Sequence, residues 1–473
     1  MIFSNFLSSK IIILLVIIFI AGCQFIPYSK EEIDLDANNV EINNQHSETE
    51  SFTQFIGSLE QNISLPNEGW NTDNLLATLY FFNTKIKTAE KQYQTVKNDE
   101  VIAKFRPQSS IGAEVGSGDG ANDDLSKDIE GLGVMFPLET ANKRLIRYEI
   151  ALNTSQSAYE DYRLLSWNER LMLINAIIQY SFNIKKINTI KNELFSRQSI
   201  YLMTKKRFEK GIEDNIQLQQ SKIALQLVEN KLKSFQINQL SIRKQIAQKA
   251  GIKLHHLEKN PLLADNIIKN LMNIMQTIDD EKISLLRENA IQTRIDLRRD
   301  LANYARAEAA LKLEVAKQYP DIKFSPAYLY DFGDKIWTLG ISTLIPNLEK
   351  NKALIAKAES FRESESSKIM DMQLAIANDI DSLLLYLNDS TEKYNNAKAL
   401  NADKELLLVN LEKKFKNGIL SRFELEQEKI KLYEIDYIYL DSLYNLIQGG
   451  YEIEKTFHIP FVSQLHLEKE PNE

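Results

Sequence analysis

Apolar residues recur along this chain with two different periods, and prolines mark where the period changes. Residues 138 to 260 and 347 to 459 contain no proline, and within each the apolar positions follow helical spacing. Beyond Gly211, positions 225, 228, 232, 235, 239, 242 and 246 read Leu, Val, Leu, Phe, Gln, Ile and Ile. Beyond Gly418, positions 425, 432, 435, 439 and 446 read Leu, Leu, Ile, Tyr and Leu. Spacings of three and four sustained this long predict coiled-coil seams between long antiparallel helices. The stretch from 141 to 210 would span about 105 Å at ~1.5 Å rise per residue. Helices of that length must bury their stripes on one another.

Between the helical stretches the period drops to two. Ile111, Ala113 and Val115 alternate with Ser110, Gly112, Glu114 and Gly116, and Leu132, Val134 and Phe136 alternate with Gly131, Gly133 and Met135. The turn-rich piece GSGDGANDD (116–124) separates these two strands, expected at about 108–117 and 128–137. A second pair is expected at about 321–331 and 335–345, with Ile322, Phe324, Tyr328 and Tyr330 on one face and Trp337, Leu339 and Ile341 on one side. Pro107 and Pro137 bracket the first pair as Pro320 and Pro346 bracket the second.

The two halves repeat. RFEKGIEDNIQLQQSKIAL (207–225) aligns with KFKNGILSRFELEQEKIKL (414–432) at an offset of 207, and Pro137…Asn142-Lys143 aligns with Pro346…Asn351-Lys352 at an offset of 209. Each half therefore reads helix, strand, strand, long helix, glycine turn, long helix. A lone glycine inside a helix costs about 1 kcal/mol. Two in matching frames point instead to hairpin turns at Gly211 and Gly418. The organisation expected is a first repeat at 72–260, a connector at 261–284, a second repeat at 285–460 and a tail at 461–473. Thr72 or Asp73 would cap a first helix running to about Lys104.

The N-terminus carries a different signal. Lys10 precedes IIILLVIIFI (11–20), short for a spanning helix but suited to a secretory signal at 1–22. It ends in Ile20-Ala21-Gly22-Cys23, which resembles a bacterial lipobox with Cys23, the only cysteine, as the lipidated residue. Gln24 in the next position is compatible with sorting to the outer membrane. Residues 31–50 hold seven acids and no Lys or Arg, so 23–71 reads as a flexible acidic tether. The net charge of −8 argues against a nucleic-acid partner.

Strands of about ten residues can cross a bilayer when tilted, but four cannot close a barrel and an open edge cannot sit in lipid. The choice is between several chains pooling their strands and a small sheet packed on the helices; the export signal and the small-versus-aromatic faces favour the barrel. Catalytic chemistry is not legible. His46, His255, His256, His458 and His466 show no zinc-ligand spacing, and no phosphate loop, dinucleotide fingerprint or nucleophile elbow appears. The sequence calls for no enzyme, no metal site and no cofactor.

Those hairpin segments, with TRIDLRRDLANYARAEAALKLEVAKQYPDIKFSPAYLY (293–330), resemble the outer membrane efflux family typified by TolC over about 72–460. Ile295 stands where that family's Arg-Pro-Asp-Leu motif has proline. VMFPLETANKRLIR (134–147) and STLIPNLEKNKALIAKAE (342–359) are most similar to its heavy-metal, CzcC-like branch. The resemblance implies a mainly α fold with a transmembrane β-barrel portion. Three chains would form a 12-stranded barrel and an α-helical periplasmic tunnel. It implies a homotrimer in outer membrane lipid, a periplasmic adaptor (membrane fusion protein) and an inner-membrane RND-type pump. The adaptor-docking tips would be Arg207, Phe208, Gly211 and Ile212 with Lys414, Phe415, Gly418 and Ile419. Glu424 would fall at the pore gate, with Gln427 in place of a companion acid and Phe415 and Leu420 in place of the gating Tyr and Arg. The function expected is the passive exit duct of a tripartite efflux pump for heavy-metal cations. Alternatives are drug efflux or type I secretion through the same fold, and a periplasmic coiled-coil structural or adaptor lipoprotein.

Overall fold

The computed structural model describes residues 26–45, 49–59, 63, 69–117, 128–331, 333–463 and 465. The signal segment 1–22, Cys23, the loop at 118–124 and the tail from 466 lie outside the described residues. The chain divides into Met1–Asn44 and Gln45–Glu473. In the first unit, helix α1 (Leu35–Asn43) is capped by Asp34, whose carboxylate accepts from the backbone N–H of Asp36 and Ala37, and it buries nothing.

The second unit begins with a departure from the expected tether. Helix α2 (Glu50–Ser58) buries Phe52 and Ile56, and the Phe52 ring lies 5.2 Å from that of Phe82 and 5.5 Å from that of Phe81. The acidic composition nearby hid two apolar residues spaced one helical turn apart.

The helix expected from Thr72 to Lys104 is two helices, α3 (Thr72–Phe82) and α4 (Thr84–Lys104). Asn71, not Thr72 or Asp73, supplies the first cap, through a reciprocal box with Asn74. Asn83 breaks the run with extended backbone and starts α4 by accepting from the N–H of Lys85 and Ile86. Its amide also donates to the Lys249 carbonyl at 3.0 Å.

Strands β1 (Ser110–Ser117) and β2 (Asp128–Leu138) lead into α5 (Lys143–Glu209), which turns at Gly211 into α6 (Asn215–Ala250). The connector holds α7 (Leu254–Glu258), α8 (Asp265–Thr277) and α9 (Asp280–Thr293). The second half runs α10 (Ile295–Ala316), β3 (Ile322–Asp331), β4 (Asp334–Thr343), α11 (Leu348–Lys416) and α12 (Arg422–Phe457). The helix–strand–strand–long-hairpin repeat is therefore present twice.

The two long helices start differently despite the matching sequence. Ala141 and Asn142 are left-handed before α5, and Lys143 donates to Asp321 at 2.7 Å, tying the helix to the root of β3. In the second half Asn347 caps α11 directly, accepting from the Lys350 N–H at 3.0 Å, so Asn351 is already helical.

The seams fall where the heptads place them. Every named position after Gly211 is buried or half-buried, Val228, Ile242 and Ile246 most deeply; Leu425, Leu432 and Leu446 are buried after Gly418. The largest core lies at the waist, where α3, α5, α6, the connector and α12 meet around Leu76, Ile174, Ile178, Ile246, Leu271 and Ile447. Arg170 and Glu454, both fully buried, pair at 2.9 Å across it. Arg170 also donates to the carbonyls of Ser463 and Leu465, while Glu454 accepts from the Val462 N–H, so the pair fastens the segment after α12. These bonds satisfy both charges, without which their burial would be strongly unfavourable.

Candidate functional site

Three regions can carry function: the sheet, the two hairpin turns and the interface between the hairpins. The sheet has the order β1-β2-β3-β4, antiparallel throughout. Directly paired residues in an antiparallel sheet point to one face. Ala113 pairs with Leu132, Leu132 with Tyr328 and Tyr328 with Trp337; Phe136 pairs with Phe324 and Phe324 with Ile341. One face is thus aromatic and aliphatic from edge to edge. The opposite face carries Gly112 against Gly133, then Ala327, then Thr338, with Glu114 against Gly131. The apolar face is bare: Trp337 is 80% exposed, and Ile111, Val115, Leu339 and Ile341 are all exposed. Among the described residues both outer strands, β1 and β4, have one unpaired edge.

Prolines are placed to suit these ladders. Pro137 lies inside β2 rather than bracketing it, opposite Lys323 and beyond the last β1 pair at Ser110–Met135. A residue without an N–H is tolerated where one side of the strand has no neighbour. The β2–β3 pairing skips Val134 and Met135, where Pro326 offers no donor.

The two glycine turns are built alike. Gly211 and Gly418 have φ of 72° and 73°, the left-handed region. Ile212 N–H donates to the Arg207 carbonyl at 2.8 Å and Gly211 N–H to that of Phe208 at 2.9 Å. Ile419 and Gly418 repeat these bonds on Lys414 and Phe415 at 2.9 and 3.0 Å. This is the Schellman closure of a helix C-terminus. Each following helix opens on a capping box, Asp214 with Gln217 and Ser421 with Glu424. The Arg207 guanidinium sits 5.1 Å from the Phe423 ring centroid, so the two tips form one surface. Phe208, Ile212 and Ile419 are exposed there, whereas Phe415 packs against Leu411, Leu425 and Leu432.

Glu424 is fixed by its capping box. Its carboxylate accepts from the Ser421 N–H at 2.9 Å, and that backbone bond, with the hydroxyl contact, holds its pKa below the usual carboxylate value. It is an exposed, ionised acid at the first turn of α12. Gln217 occupies the equivalent place on α6, so the halves share a cap and differ in charge.

A row of polar contacts between α5 and α12 was not read from the sequence. Ser196 donates to the buried Glu426 at 2.6 Å, and the Tyr437 hydroxyl donates to Glu193 at 3.1 Å. Lys231 of α6 lies 3.7 Å from the Tyr437 ring centroid, and the buried Lys404 of α11 pairs with Asp436 at 2.6 Å. Burial pushes the hydroxyls of Tyr433 and Tyr437 up, so both stay protonated donors. Tyr433, Tyr437, Tyr444 and Tyr451 recur at spacings of four and seven, a pattern the sequence carried. The Lys404–Asp436 pair thus lies within the second hairpin, whereas Ser196–Glu426 and Glu193–Tyr437 join one hairpin to the other.

Among the described residues no cluster of His, Cys, Asp or Glu has the grouping a metal ion needs, and no helix is long and apolar enough to cross a membrane. No family model and no curated protein matches the sequence. Solved structures do match. The outer membrane protein VceC from Vibrio cholerae aligns with a TM-score of 0.65 at 12% identity, over 82% of this chain and 96% of that one. CusC, solved in a study of folding and transmembrane channel formation, aligns at 0.62 and 14% identity over 92% and 99%. The open-state MtrE outer membrane channel of Neisseria gonorrhoeae aligns at 0.61 and 13% identity over 92% and 98%. The fold is therefore that of the TolC-type outer membrane channels, mainly helical with a four-stranded sheet in two repeats.

Proposed function

We propose that three copies of this chain close their sheets into a 12-stranded barrel in the outer membrane and act as the exit duct of a tripartite efflux pump. The carrying observation is the bare amphipathic sheet with two unpaired edges. Each unpaired backbone group would cost several kcal/mol in hydrocarbon, so the sheet can enter lipid only by joining β4 of one copy to β1 of the next. The apolar face then meets lipid and the glycine-rich face lines the lumen. Further support comes from Ile216, Ile223 and Ile237, exposed at heptad intervals on α6, and from Leu400 and Leu407, exposed on α11. Such stripes suit helices packing against a second copy.

In this reading the duct is passive, does no chemistry, and takes its energy from an inner-membrane RND-type pump through a periplasmic adaptor at the Gly211 and Gly418 tips. Glu424 supplies an acidic ring near the mouth, and Cys23 anchors the chain to the outer membrane. We assign heavy-metal cations as cargo, on the likeness of residues 134–147 and 342–359 to the CzcC-like branch; drug efflux or type I secretion is the alternative. Detergent-solubilised protein should be trimeric and give single-channel conductance in planar bilayers. A monomer without conductance would leave the periplasmic coiled-coil lipoprotein as the better reading. For cargo, a deletion strain should become sensitive to zinc, cobalt or cadmium and be rescued by the gene; sensitivity to dyes and detergents alone would transfer the cargo to drugs.

A further inference from the structure

The turns at the two tips concentrate positive charge on an acidic chain. From Lys205 to Asp214 and from Glu412 to Glu424 there are eight basic and five acidic residues, whereas the whole chain is −8. The acids there are largely committed. Asp214 caps α6, Glu424 caps α12, Glu213 pairs with Arg207 at 3.1 Å and Glu412 with Lys429 at 3.2 Å. The two arginines are committed as well, Arg422 to Glu426 at 2.7 Å. Left over are Lys205, Lys206, Lys210, Lys413, Lys414 and Lys416, all exposed and without an ion pair among the described residues. Glu209 is their one uncommitted counter-charge.

Cations in a last helical turn complement the helix dipole, but that attraction fades within the turn, and neighbouring lysines repel one another. Six unpaired lysines around the exposed Phe208, Ile212 and Ile419 therefore form an apolar patch with a cationic rim, the layout of a binding surface. The patch lies at the ends of coiled-coil hairpins, where another helical hairpin extends the seams. We infer that the tips dock a helical hairpin whose own tip is apolar and flanked by acidic side chains. The charge on this side selects the partner. The inference rests on the duct reading only in taking the tips to face a partner.

The test uses the full chain in detergent and three synthetic helical-hairpin probes sharing one apolar tip, flanked by four glutamates, four glutamines or four lysines. Calorimetry should rank them glutamate, glutamine, lysine, with about a tenfold step between the first two. Raising NaCl from about 50 to about 500 mM should shrink that step, as the screening length contracts. The combined Lys206→Gln, Lys210→Gln, Lys413→Gln, Lys416→Gln chain, with unchanged circular dichroism, should bind the glutamate and glutamine probes equally. The corresponding Lys→Glu chain should prefer the lysine probe. Equal binding of the glutamate and glutamine probes by the unaltered chain, or no binding of any probe, would overturn the inference. So would a heparin tetrasaccharide competing as well as the glutamate probe, since that marks a general polyanion surface. Single-channel conductance of the same preparation reads the duct proposal separately and would survive such a failure.

Discussion

Three glycines share one left-handed backbone conformation but sit in different surroundings, and alanine at each should separate strain from collision. Gly211, Gly418 and Gly251 have φ of 72°, 73° and 74°. At the first two, an added Cβ meets nothing within 4 Å. Alanine there carries only the cost of a left-handed L-residue, roughly 1–2 kcal/mol. At Gly251, which ends α6, the Cβ would stand 2.6 Å from the Phe82 carbonyl carbon and 2.7 Å from the Asn83 nitrogen. Those are backbone atoms and cannot rotate away, so α6 must part from the α3–α4 break it packs against. Overpacking of that kind adds about 1–3 kcal/mol, giving Gly251→Ala a loss of about 2–5 kcal/mol. Urea unfolding in detergent, followed by circular dichroism, should rank Gly251→Ala well below Gly211→Ala and Gly418→Ala in midpoint at unchanged slope. Equal midpoints for all three would refute the close approach of α6 to Asn83.

Arg170→Met should destabilise by about 3–5 kcal/mol, because it strands the buried Glu454 carboxylate, and Arg170→Met with Glu454→Leu should recover part of that in the same urea assay. Burial pushes the His458 imidazole from its ordinary 6.5 down to about 4, with the nearby Arg294 and Arg163 acting the same way and Asp296 opposing. The unfolded chain then binds the extra proton between those values, so stability present at pH 7 is lost as pH falls from 6.5 to 4, on the order of 3 kcal/mol at most. His458→Asn keeps a residue tolerant of the left-handed φ of 54° and should flatten that part of the melting-temperature profile; an unchanged profile would contradict the assignment. Tyr437→Phe removes the hydroxyl that satisfies Glu193, loosening the hairpin–hairpin interface by about 1–3 kcal/mol. Single-channel records should then show longer open dwells, and unaltered dwells would remove this interface from gating.

What the sequence revealed was whatever is periodic or repeated. Heptad positions such as Val228 and Leu432 and the alternation of Leu132 with Gly131 depend only on neighbours along the chain, so the hairpins and strands could be read directly. The break at Asn83 could not, because Asn83 is held by the Lys249 carbonyl, far along the chain. The burial of Phe52 depends likewise on Phe81 and Phe82, and the fastening of Ser463 and Leu465 on Arg170. Sequence likeness also overstated structural likeness: Asn142 and Asn351 align, yet one is left-handed and the other helical. At the candidate site the glycine turns were legible, and the cap at Glu424 is local to Ser421-x-x-Glu424, whereas the tyrosine row joining the hairpins needed the helices placed side by side.

The central claim is that the apolar face of the sheet meets lipid, and Trp337 reports on it directly. The chain has three tryptophans. Trp70 and Trp167 are buried in the waist core, while Trp337 stands bare beside Tyr328. In proteoliposomes containing lipids brominated on the acyl chains, Trp337 should be quenched strongly and aqueous acrylamide should quench it weakly, with the lipid effect gone in Trp337→Phe. Strong acrylamide quenching of Trp337 with no effect of brominated lipid would place the sheet in water and contradict the barrel.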